Sequence, residues 1–136
     1  MKTKQALYNL MFLCLFFIGN SAFSQYADDL DFKVILEKLD NGIKLKCQEG
    51  CAWTELTFEV IENNVPQAIN AYGMVDLNEK PSKINNKLPN FLFTVEKTEQ
   101  GLSLKGLDGT AWTALSFTLL KKERQAIDQS GMTVIN

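Results

Sequence analysis

With 136 residues and a formal net charge of −2, the chain has the length of a single domain. It lacks the basic excess that draws a protein to nucleic acid or to anionic lipid. It contains no histidine, which excludes Ser-His-Asp and Cys-His nucleophilic arrangements and leaves only a poor set of zinc ligands.

The N-terminus reads as a secretory signal peptide over residues 1–24. Lys2 and Lys4 form a positive start, and residues 10–19, LMFLCLFFIG, form the apolar core. Ala22-Phe23-Ser24 offers small residues at the two positions that signal peptidase reads, so cleavage after Ser24 and a mature start at Gln25 are expected. A membrane-spanning helix needs about 20 apolar residues, so this segment is too short for a stable anchor. Phe12 and Leu13 before Cys14 argue against lipoprotein processing. The mature chain keeps 12 basic and 16 acidic side chains, a net charge of −4, and two cysteines, Cys47 and Cys51. Export to the periplasm or beyond permits them to form a disulfide.

The chain then repeats itself. Residues 32–58, FKVILEKLDNGIKLKCQEGCAWTELTF, align without a gap on residues 91–117, FLFTVEKTEQGLSLKGLDGTAWTALSF. Identical positions include Phe32, Glu37, Lys38, Gly42, Leu45, Lys46, Gly50, Ala52, Trp53, Thr54, Leu56 and Phe58. The match resumes with QAINAYGM at 67–74 and QAIDQSGM at 125–132, one residue having been lost between, as loops allow. The mature protein is therefore read as one globular body of two repeats, 32–74 and 91–132. Residues 75–90, with Pro81, Pro89, three Lys and four Asn, form the joining loop.

Within a unit, Phe32, Val34 and Leu36 alternate with Lys33 and Glu37, the signature of a strand. Ile35 on the polar side points to cover on both faces. Asp40-Asn41-Gly42 is a hairpin signal, because such residues tolerate the positive φ of tight turns. A second strand follows through Ile43, Leu45 and Cys47, and a third from about residue 52. Strict alternation places Trp53 and Trp112 opposite the Leu-Phe stripe, which calls for a bulge or a second covered surface. QAI-x-x-x-GM fits either a short helix between Pro66 and Gly73 or a fourth strand, and the strand, completing a meander, is favoured. The expected fold is mainly β, an antiparallel sandwich or barrel-like body of about four strands per repeat. An α+β body with a short helix ending each repeat is the alternative.

Cys47 and Cys51 are separated by three residues and lie outside any βαβ pattern, unlike a thioredoxin-type pair. In the second copy Gly106 and Thr110 replace both together. Coupled presence and absence is the mark of a disulfide, here closing the turn between the second and third strands. Trp53 and Trp112 read as packing residues retained because each unit needs them, with a glycan- or peptide-contacting platform as the functional alternative. Glu37 with Glu96, and Glu49 with Asp108, are the carboxylate pairs available to a hydrolase. Their positions at strand ends and turns read as solvated charge, as do those of Lys38 and Lys97.

The string GIKLKCQEGCAWTELTF resembles sequences of small exported proteins of Bacteroidetes-type bacteria, and a leader ending in Phe23-Ser24-Gln25 is similar to their export signals. The resemblance covers the repeat cores and implies no activity. The expected function is that of a periplasmic or secreted non-catalytic binding or interaction module. It would have a protein or glycan partner, no cofactor and no metal. An inhibitor of a secreted enzyme, or a small carboxylate-dependent hydrolase, is the alternative.

Overall fold

The structure, a computed structural model, describes residues 31–78, 80 and 87–135. The expected signal peptide, its cleavage site and part of the joining loop lie outside these residues. Every regular element among them is a strand. The first repeat supplies β1 (Lys33–Leu39), β2 (Gly42–Glu49), β3 (Glu55–Glu59), β4 (Gln67–Asn70) and β5 (Gly73–Val75). The second supplies β6 (Leu92–Lys97), β7 (Gly101–Asp108), β8 (Ala114–Thr118), β9 (Arg124–Asp128) and β10 (Gly131–Thr133). Each unit thus has five strands, one more than the periodicity suggests, because QAI-x-x-x-GM is itself a hairpin. Its turn is written in one side chain. Asn70 Oδ1 accepts from the backbone N–H of Tyr72 at 2.8 Å and of Gly73 at 3.1 Å, and Asp128 Oδ1 does the same for Ser130 and Gly131. This Asx geometry favours a tight turn over a helix. Gln67 and Gln125 then extend the hairpin ladders, each donating from Nε2 across to Val75 O or Thr133 O.

The strands form two antiparallel five-stranded sheets packed as a sandwich, in the orders β10-β9-β1-β2-β3 and β5-β4-β6-β7-β8. Neither sheet belongs to one repeat. Three strands of one copy are completed by the terminal hairpin of the other: β9 pairs with β1, and β4 with β6. The copies have exchanged their last hairpins, so each unit's sheet is complete only when both are present.

The hairpin turn at Asp40-Asn41 connects β1 and β2 as expected, but Gly42 is required for a different reason. Neither Asn41 nor Gly42 has positive φ. A Cβ on Gly42 would instead collide with the Phe58 carbonyl oxygen, and one on Gly101 with that of Phe117. The glycines permit a close backbone approach between neighbouring strands.

The inward faces of both sheets meet in one core, including Val34, Leu36, Ile43 and Leu45 from the first repeat and Phe93, Val95, Leu102 and Leu104 from the second. β1 and β6 are the central strands. The equivalent residues just before them, Phe32 and Phe91, stack with ring centroids 4.1 Å apart, which places the pseudo-two-fold axis between them. Ile35, on the outer face of β1, is also buried, among Lys46 and Arg124 whose aliphatic stems can cover it.

Candidate functional site

The sequence-predicted site residues gather at the connections β2–β3 and β7–β8. Cys47 and Cys51 are joined by a disulfide, with Cα atoms 6.2 Å apart. The bridge closes a turn that already has backbone closure, Cys47 N–H donating to Thr54 O at 2.9 Å. One residue, Gln48, bulges out of register with β1 just after Cys47, and Leu107 does so in the second copy. Gly50 and Gly109 then take φ of 86° and 70°, a conformation that suits glycine.

The second copy reaches the same backbone course without sulfur. Gly106 N–H donates to Thr113 O at 3.0 Å, and Thr110 Oγ1 donates to Trp112 O at 2.7 Å. A Cβ on Gly106 would run into Thr110 Oγ1 and Trp112 O. The space taken by a side chain at Cys47 is filled there by the threonine hydroxyl, so glycine and threonine are as coupled as the two cysteines.

Trp53 and Trp112 lie in the connections, not in the following strands, which begin at Glu55 and Ala114. That departure from the strand is why alternation misplaces them. Trp53 is half-buried and its Nε1 donates to Asn70 O at 3.0 Å. Trp112 is 8% exposed, packs near Phe93, and its Nε1 donates to Asp128 O at 2.9 Å. Ala52 N–H to Ala71 O and Ala111 N–H to Gln129 O lie alongside. Each indole therefore ties its connection to its own unit's terminal hairpin, which lies in the opposite sheet.

Lys38 and Lys97 do the equivalent at the other end of the strands, which corrects their reading as solvated charges. Lys97 is 5% exposed and donates from Nζ to Asp40 O at 3.0 Å and Val60 O at 3.3 Å. Lys38 Nζ donates to Thr98 O at 2.8 Å and Glu99 O at 3.2 Å. Each ammonium thus reaches the hairpin turn of the other repeat. A long flexible stem lets a strand-end lysine bury its methylenes and spend its charge on carbonyls. Their recurrence in both copies was the signal available in the sequence. The cleft between these turns, of about 390 Å³, is lined by Lys38, Asp40, Lys97, Gln100, Leu119 and Lys121. Lys121 Nζ is 2.7 Å from Asp40 Oδ2.

Each of the carboxylate pairs Glu37–Glu96 and Glu49–Asp108 is divided between the two sheets, Glu37 and Glu49 lying on β1 and β2 and Glu96 and Asp108 on β6 and β7. Glu37 pairs in register with Lys44 and Glu49 with Lys33, at opposite ends of one hairpin. Among the described residues no three His, Cys, Asp or Glu side chains are grouped to hold a metal. No helix there is long and apolar enough to cross a membrane.

The outer faces of the two sheets differ most. The first carries the registered rows Arg124-Glu37-Lys44-Thr57 and Ala126-Ile35-Lys46-Glu55, with a Lys44–Glu55 ion pair at 3.5 Å. An open hollow of about 520 Å³ lies beside the disulfide, bordered by Lys46, Thr54 and Arg124. The matching positions of the second sheet hold Ser103 for Lys44, Ala114 for Glu55 and Thr118 for Glu59. Comparison with family models, with curated proteins and with solved structures finds no match.

Proposed function

We propose that the protein is an exported, non-catalytic interaction module of the cell envelope or periplasm, whose partner meets the charged outer face of the first sheet. One observation carries this reading. Among the polar residues kept in both copies, the tryptophan N–H groups, Lys38 and Lys97, and both hairpin glutamines are engaged in the scaffold, ending on backbone carbonyls. What differs between the copies is surface, and the first sheet alone presents Lys44, Glu55, Glu59 and Arg124 on its outer face. Alternating charge at fixed spacing selects a protein partner by electrostatic complementarity. The engaged indoles give no support to an aromatic platform for glycans. The disulfide fits an oxidising compartment, in keeping with export.

The test is site-specific photo-crosslinking in the cells that make the protein, with the probe at Lys46 or, as control, at Ser103. A discrete adduct from Lys46 alone supports the reading. No adduct from Lys46, or turnover of ester or glycoside substrates by the purified protein, overturns it. N-terminal sequencing of the exported form should begin at Gln25.

A further inference from the structure

Duplication has left the molecule with two equivalent sheet edges, β3 and β8, of which only β3 carries charge. β3 reads ELTFE and β8 reads ALSFT. Each is the outermost strand of its sheet. The other two edges, β5 and β10, are three residues long, the short form that blunts pairing.

The backbone of β8 shows which groups are available. Thr113 O accepts from Gly106 N–H and Leu119 N–H donates to Gln100 O, so residues 113 and 119 face β7. Antiparallel alternation then turns 115 and 117 toward β7 as well, and leaves the N–H and C=O of Ala114, Ser116 and Thr118 pointing away from the sheet. In β3 the bonds Cys47 N–H to Thr54 O and Val60 N–H to Asn41 O set the same phase, so Glu55, Thr57 and Glu59 point outward. All three outward residues of each strand are solvent-exposed.

Consider each edge against a second copy of itself. Antiparallel pairing centred on Ser116 matches Ser116 with Ser116, and Ala114 with Thr118 on either side, all as hydrogen-bonded pairs. Leu115 then lies opposite the second copy's Phe117, an apolar cross-strand pair. The same register on β3 centres on Thr57 and gives the same Leu56–Phe58 match. It also sets Glu55 opposite the second copy's Glu59 twice, about 5.5 Å apart between Cα atoms, where like charges are destabilising. β3 is guarded and β8 is open.

We propose that β8 pairs with β8 of a second copy, antiparallel and centred on Ser116, joining two five-stranded sheets across a two-fold axis. This inference stands apart from the partner proposed for the charged face: a monomer would overturn it and leave that reading untouched.

The experiment is sedimentation velocity of the purified protein across the micromolar range, beside the variant A114E/T118E, which rewrites ALSFT as ELSFE. The wild type should sediment as a dimer. The variant should dimerise about thirty-fold more weakly, and part of the loss should return in high salt. Its circular dichroism should be unchanged, because β3 folds with glutamate at the same positions. A monomeric wild type, or a variant that dimerises as well as the wild type, overturns the proposal. Should the variant fail to fold, Ser116→Cys decides: paired Cα atoms about 5.5 Å apart lie within disulfide range. An intermolecular disulfide forming in air between the two introduced thiols supports the register, and its absence overturns it.

Discussion

The connections at 48–54 and 107–113 follow the same course, bulge at the same place and bury an equivalent tryptophan, yet one is closed by a disulfide and the other by a hydroxyl. The tryptophan and its hydrogen bond to the terminal hairpin recur; the covalent bond does not. What the fold demands at this point is therefore a filled space and a docked hairpin. The cysteines add local rigidity on the side of the charged face, and the second copy holds its shape by packing.

The sharpest way to break the comparison is to remove the shared part. Trp112→Ala should cost about 3–5 kcal/mol in urea denaturation. Trp53→Ala should cost less, because part of its ring already meets water. If the order is reversed, the first connection depends on its tryptophan despite the disulfide. The lysine cross-links come next. Lys97→Met removes a charged donor from two carbonyls and should cost about 2–3 kcal/mol, with Lys38→Met the milder change because its ammonium is less enclosed. Equal losses would mean that burial does not set the strength of these bridges. C47A/C51A should cost about 2 kcal/mol by loop entropy for so short a ring. Reductant should lower the wild-type midpoint to that of this variant and leave the variant unmoved. The smallest effect is expected for Thr110→Ala, about 1 kcal/mol for one hydrogen bond, indifferent to reductant. A Thr110→Ala loss larger than that of the double cysteine variant would show the hydroxyl to be the stronger clamp.

Much of the sandwich was legible in the sequence because its cause is local. Alternation in Phe32-Val34-Leu36 and Ile43-Leu45 marks the inward face, and Asp40-Asn41-Gly42 marks the turn. The alignment of the copies made Cys47 and Cys51 a pair. The exchange of hairpins was not legible, since period-two patterning says which side chains face inward but not which sheet receives them. Trp53 and Trp112 were misplaced because alternation assumes a continuous strand, and residues 50–54 and 109–113 leave it. Lys38 looked solvated because its acceptors, Thr98 and Glu99, lie about sixty positions away, beyond any local pattern. Gly42 was recognised as a turn residue for the wrong property, its φ, when the constraint is the neighbouring carbonyl.

The pairing of β1 with β9 also orders events in time. Synthesis delivers β1 well before β9, so the first sheet gains its fourth and fifth strands only after the rest of the second repeat has emerged. Until then β1, destined for the middle of a sheet, has an unpaired edge, and its closure spans a long loop of chain. The β9–β10 hairpin is a latch. The first sheet closes only when residues 124–133 seat, and a chain cut short before Arg124 would leave that edge of β1 unpaired.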